Sequence, residues 1–415
     1  MQRGKSGVGQ YVIALARAFL PYAAKHEFTL FVLEEDLELL RFAEGDMRIY
    51  PVPENYRDPV KDILWHQTRL PALTRQFGLN VLHIPSYRRM VWQHPCATVA
   101  TIHDLAPFHI PNKYDWLRML YARTAVRWLS RRQDAVIAIS QTTARDIHHF
   151  FGRAFDSIDV VYNGIDHRRF NPGEENRQNP ASHIRELCAT TSPRALVADR
   201  FGLDKPYFIY VSRLEHPGKN HVRLITAFNT FKAATSSDWQ LVFAGGDWHG
   251  SDVIHGAIRQ SPFAADIRAL GFVRGEDIPI LYRAASACVY PSLFEGFGLP
   301  PLEAMACGCP VLSSNRGSLA EVVSDAAVTL DPEDIKAWKQ AMLRISTDAG
   351  LRLSLRSKGF ARAELFDWRK TAAGTLDVYE RAVARARSRR FHPSFQPSAE
   401  SHSSRIPLPS HRSLG

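Results

Sequence analysis

Two carboxylates eight residues apart, Glu295 and Glu303, bracket the glycine- and proline-rich run E-G-F-G-L-P-P-L-E. A buried strand, Ala287 to Tyr290, is predicted just before this run. A helix carrying Glu303 is predicted just after it, with Pro300 and Pro301 in the first turn, where a missing N–H would be unpaired anyway. A glycine loop feeding a helix presents free N–H groups, here near Gly298 and Leu299, and a positive dipole end. That is a ready site for a phosphate. Glu295 at the mouth and Glu303 behind it can grip two hydroxyl-bearing parts of one ligand. Phosphate donors between two hydroxyl binders fit a nucleotide-sugar. The plainer alternative is a βα unit of a parallel sheet with one solvated Glu and one Glu at a helix N-terminus.

A second cluster precedes it. Tyr207 to Val211 reads as a strand ending in Ser212-Arg213, and a helix starts near His221. Arg213 leaves the strand end and Lys219 stands at the helix start, six residues on, with Gly218 beside it. Two cations beside a helix N-terminus make a diphosphate clamp; the alternative is surface charge. In the first half of the chain, His83 and His103 both sit at predicted strand ends, and Asp104 follows His103. Open parallel sheets place ligand groups at the carboxyl ends of strands, although most single histidines are structural. Ser140 and Thr142 follow the apolar strand Ala135 to Ile139, where a helix N-cap explains them equally well.

These residues need two α/β frames to hold them. Strands are expected at 28–33, 47–52, 81–85, 97–102, 135–140 and 158–162, with helices at 63–77 and 115–132. A second pattern starts at Pro206, with strands at 207–211, 240–244, 267–272, 287–290 and 310–314. Between them, residues 171–203 are polar and weakly periodic, and read as a linker with an insertion, partly helical near Ile184 to Cys188. The expected organisation is residues 1–170, linker 171–203, a second domain over 204–365, a helix at 366–386, and a disordered basic tail at 387–415.

Composition narrows the class. The chain has 415 residues, 45% of them hydrophobic, with no apolar run long enough to cross a bilayer and no apolar signal core. Five cysteines with no C-x-x-C pair fit a reducing compartment and argue against a disulfide framework or zinc site. Net charge is +10, and seven Arg against one Glu from residue 381 onward supply most of it. Such a tail leaves room for contact with an anionic membrane or nucleic acid, or is simply solvated. Gly4-Lys5-Ser6 lacks the upstream glycine of a P-loop.

Taken together, Glu295-x7-Glu303 with Gly296-Phe297-Gly298 and Pro301 between resembles the signature of retaining glycosyltransferases of family 4 (glycosyl transferases group 1). Gly7-Val8-Gly9-Gln10-Tyr11 resembles the family's first glycine loop, with Gln10 where Arg is common, and only six residues precede it, so its first strand is expected to be missing. Thr101-Ile102-His103-Asp104-Leu105 resembles the acceptor-side loop, Asn163-Gly164-Ile165-Asp166 the element leading into the linker, and Arg213-x5-Lys219 the diphosphate pair. The resemblance covers roughly residues 4–384.

It implies an α/β protein of the GT-B fold, two Rossmann-like doubly wound parallel-sheet domains facing a cleft. It implies transfer of a hexose, mannose-like, from a nucleoside diphosphate sugar to an acceptor hydroxyl, with retention guided by the leaving phosphate. Arg213 and Lys219 would stabilise the leaving diphosphate, Glu295 would hold the hexose, and Glu303 the ribose. His103 would stand at the reaction centre, Gly7 and Gly9 would admit the diphosphate, and Phe272 would pack against the base. No metal or other cofactor is expected. The implied partners are the nucleotide-sugar and a glycan or lipid-linked acceptor, without nucleic acid. The implied setting is cytoplasmic, at or near the inner face of the plasma membrane. The alternatives are an inactive or N-terminally shortened transferase, and a phosphorylase or epimerase sharing the two-lobed fold.

Overall fold

The structure is a computed structural model that describes residues 7–110, 116–173 and 192–391. The predicted helix at Ile184 to Cys188 and the tail beyond residue 391 lie outside the described residues. All strand pairs are parallel, as expected for near-continuous apolar runs covered on both faces.

In the first half, β1 (Thr29–Leu33) pairs with β2 (Arg48–Val52). A four-stranded sheet follows in the order β3-β4-β5-β6, from Val81–Ile84, Ala97–Ile102, Ala135–Ala138 and Ile158–Val160. Every residue of β4 and β5 is buried. The second half is one six-stranded sheet in the order β12-β11-β10-β7-β8-β9. Its strands are β7 (Tyr207–Val211), β8 (Gln240–Ala244), β9 (Ile267–Ala269), β10 (Ala287–Tyr290), β11 (Val311–Ser314) and β12 (Val328–Leu330). Separate apolar clusters cover its two faces. From β7 the sheet grows through β8 and β9 on one side, and through β10 to β12 on the other. The crevice between β7 and β10 is therefore the topological switch point, where such sheets bind ligands beyond the strands' carboxyl ends.

The helix Trp368–Phe391 packs back on the first half and runs past Ala386. Its Val378, Ala382 and Ala386 pack on Val99 and Ile137 of β4 and β5. The crossing is tied down beside residues 163–166: Thr371 donates to the Tyr162 carbonyl at 2.7 Å, and Ile165 N–H to the Phe366 carbonyl at 3.3 Å. Gly164 is required there, since a Cβ would sit 2.1 Å from the backbone nitrogen of Trp368.

One expectation is corrected. Gly7-Val8-Gly9 is not a loop: both glycines lie in the first turn of the helix Gly7–Phe19, and neither has positive φ. The apolar spacing of Tyr11, Leu15 and Ala18, which pack on Ala372, carries helix back through them despite glycine's low propensity. Ser318 occupies the N-cap of the helix Leu319–Val323 but makes no cap bond. Its hydroxyl donates instead to the carbonyls of Glu295 (2.9 Å) and Phe297 (2.8 Å), which fixes the glycine loop.

Candidate functional site

The switch point gathers most of the predicted residues. Arg213 and Lys219 lie in the loop after β7, and Glu295 to Gly298 in the loop after β10. The two loops are joined by the Leu293 N–H to Gly218 carbonyl bond at 3.0 Å. Gly298, with φ of 107°, is the N-cap of the helix Leu299–Ala306. A Cβ there would meet Leu319 at 2.6 Å, so glycine is needed for space as well as for its backbone angle. Because Pro300 and Pro301 carry no N–H, the donors at this helix end narrow to Gly298 and Leu299.

Lys219 and Glu295 meet: Nζ donates to Oε1 at 2.5 Å, with both side chains mostly buried. Tyr290 donates to the same oxygen at 3.1 Å. Burial alone would raise the Glu295 carboxyl's pKa, but the charge and hydrogen bond of Lys219, with Ser292 and Tyr290, bring it below its usual value. Glu303 is the opposite case. Its partly buried carboxylate has no side-chain hydrogen bond to another described residue. Burial pushes its pKa up to about 7, against the pull of Arg169. A carboxylate held in a site without a hydrogen-bond partner is poised for ligand hydroxyls.

Arg213 is not beside Lys219's carboxylate. Its guanidinium lies over the Trp248 ring at 4.6 Å and reaches Glu215 Oε2 at 3.3 Å. Phe272 is 72% exposed in the loop after β9, close to Gly246.

Across the cleft, His103 follows β4. Its Nε2–H donates to the Pro85 carbonyl at 3.1 Å, which leaves the lone pair of a neutral ring on Nδ1. Burial lowers its pKa, so the ring is neutral at neutral pH. Tyr11 packs edge-on against it at 4.7 Å, so the first helix reaches the site through Tyr11. Outside its own helix, no described residue lies within 4 Å of where a Cβ on Gly7 would sit, and Gly9 is buried within the helix. His83 is structural: its nitrogens bond Tyr379 and Thr101, both at 2.7 Å, and burial drops its pKa to about 3.

The halves meet at this site. A Cβ on Gly296 would lie 2.0 Å from the His103 carbonyl oxygen. Ser140 both caps its helix, accepting from Thr143 N–H, and donates across the seam to the Gly296 carbonyl at 2.9 Å. The Glu321 carboxylate accepts from Gln141 N–H (2.7 Å), Thr142 N–H (3.0 Å) and the Thr142 hydroxyl (3.0 Å). His109 stacks on Phe294 at 4.1 Å. Sequence reasoning missed Tyr290, Trp248, Glu215 and Glu321. Only Trp248, immediately after a Gly-Gly-Asp turn at a strand end, carried a local signal.

Two parallel-sheet halves facing one cleft, with cations, a helix end and two carboxylates at the switch point, define a sugar-nucleotide transferase architecture. The chain belongs to that class: residues 197–362 match the family described as Glycosyl transferases group 1, and residues 5–169 match Glycosyltransferase Family 4. It is 38% identical over 283 residues to the O-antigen chain mannosyltransferase B of Escherichia coli, covering 68% of this chain and 70% of that one. It is 28% identical over 298 residues to the serotype-specific mannosyltransferase WbdA of Escherichia coli, covering 70% of this chain but only 34% of that longer protein. Among solved structures, sucrose-phosphate synthase from Thermosynechococcus elongatus superposes with a TM-score of 0.71 at 20% identity, covering 91% of this chain and 94% of that one. The protein is a glycosyltransferase of the GT-B fold.

Proposed function

We propose that the chain transfers a hexose, mannose by its likeness to mannosyltransferase B, from a nucleoside diphosphate sugar to an acceptor hydroxyl, with retention, in cell-surface polysaccharide or glycolipid synthesis. The observation that carries the donor assignment is Glu303, a partly buried carboxylate without a hydrogen-bond partner among the described residues, on the helix whose N-terminus faces the loop of Lys219 and Glu295.

Glycosyl transfer develops positive charge at the anomeric carbon and negative charge on the departing phosphate. The C1–O bond to the phosphate breaks with its electrons on the phosphate oxygen. Lys219, Arg213 and the N–H groups of Gly298 and Leu299 stabilise that oxygen's charge, so the reading assigns no metal to the diphosphate. The acceptor oxygen bonds to C1 from the same face and passes its proton to the leaving phosphate. Glu295, freed from Lys219 by the phosphate, holds sugar hydroxyls; Glu303 holds the ribose. His103, neutral at neutral pH, lines the acceptor side.

The acceptor is a glycan or lipid-linked sugar, and the reading places the enzyme peripherally on an anionic membrane. Support comes from residues 116–132, which carry five Arg and no acidic residue and expose Trp116, Leu120 and Trp128. Exposed indoles and arginines together suit a headgroup interface. No helix among the described residues is long and apolar enough to cross a membrane. Flotation with phosphatidylglycerol vesicles, but not phosphatidylcholine vesicles, checks this part.

The donor is tested by thermal-shift titration with UDP, GDP, ADP and dTDP in chelator. One nucleotide raises the melting temperature of the wild type and not of Arg213→Ala or Glu303→Ala. No shift with any of the four overturns the reading. Retention is read from the anomeric configuration of the product by NMR.

A further inference from the structure

Arg213 and Lys219 are held in different ways. Lys219 is engaged by a carboxylate at 2.5 Å. Arg213 lies over the Trp248 indole at 4.6 Å, and its one carboxylate contact among the described residues, Glu215, is at 3.3 Å, long for a charge-assisted bond. The difference matters for a group that must meet a phosphate. A close carboxylate occupies N–H donors and competes with the ligand. An aromatic face fixes the plane of a guanidinium and leaves the N–H groups on its edge free.

The backbone makes this placement rigid. Leu214 N–H bonds the Gly246 carbonyl at 3.0 Å, Trp248 N–H the Leu214 carbonyl at 3.1 Å, and His216 N–H the His249 carbonyl at 3.0 Å. The loops after β7 and β8 are thereby zipped together. Gly245 permits the approach, since a Cβ there would lie 1.9 Å from the Ser212 carbonyl oxygen. The indole itself stays 52% exposed, so its face is open to the guanidinium.

We propose that Trp248 is a positioning residue for donor binding, whose ring face holds the Arg213 guanidinium in the plane that meets the distal phosphate of a nucleoside diphosphate. The inference rests on the reading of Arg213 as a diphosphate ligand.

The test compares affinities for GDP and GMP, and for UDP and UMP, by calorimetry in wild type, Trp248→Leu, Trp248→Phe, Arg213→Ala and the Trp248→Leu/Arg213→Ala double variant. Trp248→Leu weakens the diphosphates about tenfold, the size of a partly desolvated cation–π contact, and leaves the monophosphates within about twofold. Trp248→Phe keeps a ring face and recovers most of the loss. On the Arg213→Ala background, Trp248→Leu has no further effect. Equal weakening of mono- and diphosphates, or additive losses in the double variant, overturns the proposal, because Trp248 then acts on the base or on folding. Wild-type diphosphate affinity in Trp248→Leu, with Arg213→Ala impaired, overturns it alone. Wild-type affinity in Arg213→Ala removes the diphosphate role of Arg213 and the proposal with it.

Discussion

The ammonium of Lys219 and the carboxylate of Glu295 lie 2.5 Å apart, and the Tyr290 hydroxyl donates to the same carboxylate oxygen at 3.1 Å. The leading cation is thus neutralised by the residue assigned to the sugar. On the proposed donor assignment, binding exchanges partners: phosphate takes Lys219, and sugar hydroxyls take Glu295.

Breaking this pair from one side leaves a mostly buried charge alone. Lys219→Met and Glu295→Gln each cost about 1–3 kcal/mol of stability, below the figure for fully buried pairs because both groups keep some solvent contact. The double variant costs less than the sum. The sign with pH follows from the lowered Glu295 pKa: its contribution is present above the unfolded carboxyl's pKa and is lost as pH falls through the folded one. Denaturant melts of the four proteins between pH 3 and 7 check both points; strict additivity contradicts the coupling.

Tyr290→Phe removes one hydrogen bond and no packing. We expect about 1 kcal/mol of lost stability and a fall in kcat with nucleotide affinity unchanged, because the hydroxyl orients Glu295 and not the base. Steady-state kinetics with competing nucleotide separates the two. A change confined to nucleotide affinity contradicts the assignment.

Glu303 gives a second pH signature. Its folded pKa, about 7, lies above the unfolded value, so ionising it costs stability as pH rises between the two, and that cost is constant above the higher one. A ligand hydroxyl donates to the ionised form, so nucleotide affinity rises as pH passes from 6 to 8. Glu303→Gln flattens both profiles, apart from the nucleotide's own phosphate titration. Calorimetric titrations at three pH values in both proteins show whether it does.

What the sequence made legible was the set of strand ends. Runs such as Tyr207–Val211 and Ala287–Tyr290 are apolar throughout, so their boundaries and the loops after them follow from pattern. Arg213, Lys219, Glu295 and Glu303 were singled out by their local spacing together with a resemblance to a family signature. Their partners were not legible. Lys219 and Glu295 are 76 residues apart, and Glu321 caps a helix 180 residues away. Only the strand order, with β10 beside β7, brings such residues together. Gly7 and Gly9 were misread because glycine suits both a loop and a helix's first turn, and tertiary packing of Tyr11 and Leu15 decided between them.

Gly296 sets the distance between the halves. With its Cα facing the His103 carbonyl, even a methyl group would overlap that oxygen at 2.0 Å. Gly296→Ala therefore opens the seam that Ser140 and Glu321 hold, and moves His103 away from the donor sugar. Every residue assigned to the nucleotide except Gly7 and Gly9 lies in the second half, so nucleotide affinity stays within about threefold. Turnover, which needs both halves at reacting distance, falls about 100-fold, the scale on which a misplacement of an ångström acts. Glu321→Gln loses charge but keeps one acceptor and has a smaller effect in the same direction. Nucleotide titration beside single-turnover transfer distinguishes these effects. Wild-type turnover in Gly296→Ala would mean that the seam parts during the catalytic cycle and that His103 acts from another position.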